Sequence, residues 1–259
     1  MSDRDVSRRK FFMHSAHKTI GVSAGLAALQ ACDLRGFPVD APRESAPRVC
    51  LVSGSRRYKS DESLLALQAH LESSTQTQCT RAFARSKSEL PGLHHLDRCD
   101  CMLLFTRRME IQGESLRRIK AYCHSGGPIV AVRTAGHGLQ NWPTMDKEVL
   151  GGDYQGHYDN EIAGITLVEA AKEHPVLAGV RPFVAHGTLY KNRCLAKDAK
   201  VLLTGSFPDH SHPVAWTRPN GTGRVFCTSL GHPDDFREPD FLRLLTNAIF
   251  WTTRRQRPC

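Results

Sequence analysis

Three histidines, His137, His157 and His232, stand beside glycines in polar stretches of this 259-residue chain rather than inside apolar runs. Imidazole titrates near neutral pH, so each could give or take a proton there. Arg133 offers a planar guanidinium that could hold a carboxylate, a phosphate or a carbonyl oxygen. Thr134, Tyr190, Ser229 and Asp234 add hydroxyl and carboxylate groups that could hydrogen-bond a polar ligand. Each residue also has a structural reading. Arg133 could pair with Asp234 or Asp235 and lock two loops together, and His157 and His232 could be turn residues. His174-Pro175 and His212-Pro213 read as turns in which the imidazole caps a backbone group. Trp142, Trp216 and Trp251 could stack on a sugar ring. Trp216 and Trp251 lie inside apolar runs and read better as core.

Other chemistries lack their residues. Thirteen histidines with Asp153, Asp234 and Asp235 make a metal site conceivable, but there is no HExxH motif and no CxxC pair, so no residue is assigned as a metal ligand and the cofactor is unknown. A Walker sequence and a dinucleotide fingerprint are absent, and Gly221-Thr222-Gly223 reads as a hairpin turn. A glycosidase needs two carboxylates across a sugar bond. Asp153, Asp159, Glu161, Asp234 and Asp235 are available, but spacing singles out no pair. Basic residues fall in scattered pairs such as Arg56-Arg57, Arg107-Arg108 and Arg117-Arg118, without interleaved aromatics, so no nucleic-acid partner is expected.

Strands and helices must bring the polar residues together. Arg48–Gly54, Cys101–Phe105 and Pro128–Val132 are apolar runs of buried strands, each running into a small or polar loop. Between them, Cys79–Ala84 alternates as a strand. Asp61–Leu71 carries a leucine stripe at helical spacing with Asp61 as its cap, and Gly113–His124 is a second helix, closed by Gly126-Gly127. Further strands are expected near Ile165–Glu169, Phe183–Ala185, Ala199–Thr204, Val214–Trp216 and Arg224–Thr228, with a last helix at Phe241–Trp251. Strand–helix alternation of this kind predicts an α/β fold with a flavodoxin-like, mostly parallel central sheet in three layers. Ligands of such sheets bind outside the carboxyl ends of the strands. That edge would carry Ser53, Gly54 and Ser55, then Thr106 and Arg107, then Arg133, Thr134 and His137, then Ser229, His232 and Asp234. Loops bearing His157 and Tyr190 could fold over it.

The N-terminus reads as an address. Ser7-Arg8-Arg9-Lys10-Phe11-Phe12 precedes a weakly apolar stretch, Thr19–Leu29, and resembles a twin-arginine export signal. Leu29-Gln30-Ala31-Cys32 resembles a lipoprotein cleavage site with Cys32 as the lipidated residue. Residues 1–31 are therefore expected to be removed, 32–48 to be a tether, 49–253 to be one domain and 254–259 a basic tail. The formal net charge is +9; the five Lys/Arg and two Asp/Glu of residues 1–31 account for three of those units, leaving +6 on an exported, periplasmic or membrane-anchored protein. No segment approaches the roughly 20 apolar residues of a spanning helix, so membrane contact is expected only through Cys32. Cys50 and Cys227 sit in strand-like runs and read as small buried hydrophobes, so no disulfide framework is indicated.

An ordered series of segments carries a resemblance. It comprises Gly126-Gly127-Pro128-Ile129-Val130-Ala131-Val132-Arg133-Thr134-Ala135-Gly136-His137, Leu150-Gly151-Gly152-Asp153-Tyr154-Gln155-Gly156-His157 and His174-Pro175-Val176-Leu177-Ala178-Gly179. Leu189-Tyr190, His212-Pro213-Val214-Ala215-Trp216, Gly223 to His232, Asp234-Asp235-Phe236 and Asn247 to Trp251 follow. Together they resemble the ThuA-like (trehalose utilisation) family of the class I glutamine amidotransferase-like superfamily. The resemblance implies a flavodoxin-like fold and a link to carbohydrate metabolism, including disaccharide and keto-sugar processing. Two departures stand out. Ala131-Val132-Arg133 replaces the family's usual Gly-Ile-His, and Gly187-Thr188 replaces an acidic pair before Tyr190. Amidotransferase relatives place a nucleophilic Cys at a strand-to-helix elbow; the corresponding loop here, Arg133 to His137, has none, so glutaminase chemistry is not expected. The expectation is action on a small-molecule carbohydrate or keto-sugar as a hydrolase or lyase, with His137, His157 and His232 as acid–base residues and Arg133, Thr134, Tyr190, Ser229 and Asp234 binding substrate. The other reading is a non-catalytic carbohydrate-binding or accessory protein.

Overall fold

The apolar runs become the central strands of a computed structural model that describes residues 46–257. The twin-arginine stretch, Cys32 and Cys259 lie outside the described residues. β1 (Arg48–Gly54), β3 (Cys101–Thr106) and β4 (Ile129–Val132) are buried almost throughout, as parallel strands covered on both faces must be. With β2 (Gln78–Phe83) and β11 (Gly223–Thr228) they form a parallel half in the order β2-β1-β3-β4-β11. From β11 the sheet continues antiparallel through β10 (His210–Asn220), β9 (Lys200–Phe207), β6 (Ile162–Leu167) and β7 (Phe183–His186), giving a mixed sheet of nine strands. Asn220 pairs with Gly223 across the expected β10–β11 hairpin turn.

Side chains alternate across each strand, so one run of apolar residues builds two cores. Val49, Leu51, Leu103, Phe105, Val130 and Val132 meet α1 (Ser60–Thr75) and α3 (Pro239–Thr252) through Leu64, Leu67, Leu71, Phe241, Leu244 and Leu245. Cys50, Val52, Met102, Leu104 and Ala131 meet α2 (Gly113–His124) on the other face, through Ile119 and Cys123. Each such Leu or Phe contributes about 1.5–3 kcal/mol by leaving water, which makes the parallel half a firm platform for its carboxyl edge. Trp142 and Trp216 belong to the second core. Trp251 is half-buried, with the Arg224 guanidinium 4.9 Å from its ring.

Three local features differ from the sequence reading. Asp61 does not cap α1, which begins one residue earlier. The Ser60 hydroxyl accepts from the Ser55 N–H at 2.8 Å and lies 2.6 Å from the Ser53 hydroxyl, and Asp61 accepts from Ser53. Tyr154–His157 and Tyr190–Asn192, which the sequence leaves in loops, are strands β5 and β8 of a separate antiparallel ribbon. Neither shows the apolar alternation that marks a strand. Arg255, read as part of a basic tail, sits 2.8 Å from the Asp100 carboxylate, itself shared with Arg48. The seven described cysteines are free; Cys194 is exposed, and Cys50, Cys101, Cys123 and Cys227 are buried. Among the described residues no helix is long and apolar enough to cross a membrane.

Candidate functional site

The polar edge is organised around one residue at the end of β4. Arg133 follows Val132 directly and takes a positive φ of 54°, turning the chain off the strand. A side-chain-bearing residue held in that region costs about 1–3 kcal/mol and persists only where its surroundings enforce it. Here they do, because the side chain is 96% buried, at a relative exposure of 4%. One Arg133 Nη donates to the Ser229 carbonyl at 2.9 Å and the other to the Thr188 hydroxyl at 3.2 Å. Its Nε–H is buried without a partner. The guanidinium lies between two aromatic rings, 4.9 Å from the centre of Tyr58 and 4.7 Å from that of Tyr190. No carboxylate among the described residues forms an ion pair with it. The proposed lock to Asp234 or Asp235 is therefore not formed.

Tyrosines and histidines surround this cation. Tyr190, on β8, has its ring centre 4.7 Å from Tyr154, 6.1 Å from His137 and 6.4 Å from His157. His137 stacks on Tyr154 at 4.4 Å, and its buried Nδ1 has no partner. Burial, followed by the charges of Arg107, Arg108 and Arg133, pushes the His137 imidazole down to about 4, so it is neutral at pH 7. Tyr58 is also lowered, but by charge rather than by burial. Burial works to raise its phenol, but the Arg133 charge, with hydrogen bonding from Arg133, Tyr190 and Arg57, outweighs it and leaves the group below its ordinary value. Burial first, then the neighbouring phenols, raises Tyr190.

The end of β11 closes the other side. His232 caps the short turn Pro233–Arg237, its Nδ1 accepting from the Asp234 N–H at 3.4 Å and lying 3.3 Å from an Asp234 carboxylate oxygen. Burial lowers its pKa most, Asp235 and Asp234 oppose that, and Arg133 and His186 reinforce it. Its ring lies 6.4 Å from Tyr58 and 6.1 Å from His186. Fully buried Asp235 fixes this corner by accepting from the Gly231 and His232 N–H groups, both at 2.9 Å, and from the His186 N–H at 2.7 Å. Gly187, at φ 77°, passes so close that a Cβ there would lie 3.0 Å from an Arg133 Nη and 3.2 Å from His232 Cδ2.

Seven of the eight residues singled out in the sequence for catalysis or substrate binding line or border this edge, in unequal roles. Arg133 and Tyr190 are at its centre, with His137 and His232 on either side. His157 is exposed on β5 and its Nδ1 lies 3.2 Å from the Tyr158 carbonyl. Ser229 contributes its carbonyl to Arg133, and its buried hydroxyl has no partner. Asp234 faces solvent and Arg237. Thr134 stands apart: it is fully buried and its hydroxyl donates to the Thr106 carbonyl, so it ties β4 to β3 instead of facing a ligand. The sequence reading missed Tyr58, Tyr154 and His186. Tyr58 follows an Arg-Arg pair in a loop, and only its place beside the β1 edge could have drawn attention to it. The His210-Ser211-His212 spacing resembles a metal pair, but His212 is held by the Tyr158 hydroxyl at 3.1 Å and the Asn192 carbonyl at 3.2 Å. No cluster of metal-ligating side chains is present among the described residues.

A buried guanidinium on a strained elbow, ringed by aromatics at the carboxyl edge of a parallel sheet, can be set beside known proteins. The family model for ThuA, described as trehalose utilisation, matches residues 48–252. The chain belongs to the ThuA family. A ThuA-like protein from Bacteroides uniformis is 18% identical, with a TM-score of 0.64 over 84% of this chain and 95% of its own. A ThuA-like protein from Parabacteroides merdae is 17% identical, with a TM-score of 0.66 over 81% of this chain and 90% of its own. The carbohydrate deacetylase Agd3 shares the fold at 11% identity and a TM-score of 0.53, over 82% of this chain but 33% of Agd3. No curated protein matches the chain. This ThuA chain carries Arg133 where the sequence resemblance leads one to expect the histidine of a Gly-Ile-His segment. The residues Arg133 contacts, Ser229, Thr188, Tyr58 and Tyr190, are those its longer, cationic side chain reaches.

Proposed function

We propose that this ThuA protein acts on a carbohydrate or keto-sugar derivative at the carboxyl edge of its sheet, by proton abstraction beside a sugar carbonyl. The observation that carries the reading is Arg133, a buried cation with an unpartnered Nε–H between Tyr58 and Tyr190. A carbonyl oxygen placed on that guanidinium would accept its N–H groups. As the adjacent C–H bond breaks, the proton passes to a base and the electron pair moves onto the oxygen, whose growing charge Arg133 stabilises. Return of that pair expels the oxygen substituent on the next carbon, which takes a proton from an acid. Tyr58, in the ionised form that the Arg133 charge favours, would be the base, and His232 would be the acid. His137, Tyr154 and Tyr190 form an aromatic wall for a sugar ring, and His157 stands at its open end.

Elimination suits these residues better than glycoside hydrolysis. Asp234 and Asp235 are engaged by Arg237, His232, His186 and Gly231, while Asp146 and Asp153 line a cleft of about 260 Å³ with His137 and Tyr154, where Asp146 accepts from the Tyr154 N–H at 3.2 Å and Asp153 from the Cys194 N–H at 3.0 Å. The family's description as trehalose utilisation supports a saccharide substrate. In the same proposal the twin-arginine stretch exports the protein folded, with Cys32 as its lipid anchor.

The test is incubation of the full chain with disaccharides and with their 3-keto forms. Turnover of a keto form is expected, with kcat/KM falling by about 100-fold or more in His232→Ala and Tyr58→Phe, the scale of a lost acid or base. Binding of sugars without turnover of any would replace this reading with an accessory, carbohydrate-binding role.

A further inference from the structure

The cation at the centre of the site has no carboxylate counter-ion among the described residues. A buried charge is stable only when paired or fully hydrogen-bonded, and Arg133 is neither. Two of its five N–H groups reach the Ser229 carbonyl and the Thr188 hydroxyl, both neutral acceptors. Its Nε–H has no acceptor. The acidic group against it is Tyr58, a phenol with an ordinary pKa of 10.0. The Asp235 carboxylate is spent on the Gly231, His232 and His186 N–H groups. A second buried donor, the Ser229 hydroxyl, is 96% buried in its residue and also has no partner.

The surface beside this centre has the same sign. A cleft of about 310 Å³ opens at the ends of β1 and β3, next to Tyr58 in the chain, and is lined by Arg56, Arg57, Lys59, Lys87 and Arg107. Two carboxylates share that lining: Glu62, 3.6 Å from Lys59, and Asp61, which accepts from Ser53. Net positive charge along a cleft raises the local concentration of anions.

We propose that the substrate is an acidic saccharide, a sugar acid whose carboxylate supplies the missing counter-ion of Arg133. The inference rests on the reading of this edge as a carbohydrate site and adds a carboxylate, beside the reacting carbonyl, to the groups that the guanidinium holds. A carboxylate brings Arg133 the negative charge that a ketone oxygen lacks, and offers its two oxygens to two N–H groups of the guanidinium in parallel. The rest of an acidic chain would run toward the Arg57 and Arg107 side of the cleft.

Calorimetric titration of the full chain tests it with three probes: a glucuronic-acid-containing disaccharide, the methyl ester of its carboxyl group, and inorganic phosphate. The acid is expected to bind at least tenfold more tightly than the ester, a difference of about 1.4 kcal/mol. In Arg133→Gln the ratio of acid to ester affinity should fall to about one. The comparison of acid with ester on the unaltered protein decides the matter even if that variant does not fold. Equal binding of acid and ester overturns the inference and leaves the carbohydrate reading standing. So does turnover of neutral keto-disaccharides with no binding of the acid. Phosphate binding as tightly as the sugar acid also overturns it, because the site would then recognise charge without the sugar. If no saccharide of any kind binds, the carbohydrate reading fails as well.

Discussion

Burial shifts a few titratable groups of this protein far enough to couple their protons to its stability. His137 is the clearest case. Its imidazole is pushed from 6.5 to about 4, by burial first and by Arg107, Arg108 and Arg133 next. The folded state therefore binds this proton less readily than the unfolded chain. The stability it contributes is complete above about pH 6.5, is lost as pH falls toward 4, and changes no further below that. Protonation of the buried ring costs on the order of 3 kcal/mol across that window. Urea unfolding between pH 7.5 and 4 is expected to show that loss. His137→Phe, which keeps an aromatic ring against Tyr154, should flatten the acid limb by about that amount. His174, also held down to about 4 by burial, leaves a residual slope. An unchanged limb in His137→Phe would mean that the ring is solvated in the folded protein.

At the scale of elements, the connection from β7 to β8 does the positioning. It carries His186 at the end of one strand, Gly187 and Thr188 in the turn, and Tyr190 at the start of the next. Gly187 is required twice, once by its positive φ and once by the nearness of Arg133 and His232. Gly221, in the β10–β11 turn, has a comparable φ of 58° with open space around it, so it isolates the backbone cost alone. Both Gly187→Ala and Gly221→Ala should lower Tm by a few degrees, since a left-handed L-residue costs about 1–2 kcal/mol and each kcal/mol moves a domain of this size by roughly 2–4 °C. Only Gly187→Ala should also weaken ligand binding, through displacement of the Arg133 guanidinium; calorimetry on both variants checks this. The contrast also shows what a sequence reveals at this level. The β10–β11 turn is legible because Gly-Thr-Gly between two apolar runs has one local solution. The β5–β8 ribbon is not, because Tyr-Gln-Gly-His and Tyr-Lys-Asn carry no periodic pattern and pair across more than thirty residues of intervening chain.

At the scale of the whole molecule, the parallel half of the sheet is a rigid platform and its carboxyl edge is where chemistry can be placed. That much was readable in advance. Apolar runs at Arg48–Gly54, Cys101–Phe105 and Pro128–Val132 demanded buried parallel strands, and the loops after them had to share an edge. Arg133, His137 and His232 could be named for that reason. Tyr58 and His186 could not, because their roles depend on distances to Arg133 and Asp235 that join elements far apart in the chain. The antiparallel wing from β10 to β7 was legible as strands but not as the extension of the same sheet. On the proposed reaction Tyr58 removes the proton beside a sugar carbonyl, Arg133 steadies the carbonyl oxygen and His232 protonates the departing oxygen. The most direct measurement is the kcat/KM of the full chain for a keto-sugar substrate carrying deuterium on the carbon next to the carbonyl, against the unlabelled sugar. Severalfold slower turnover of the deuterated sugar is predicted, because breaking that C–H bond is the first chemical step. Equal rates for the two would contradict the claim.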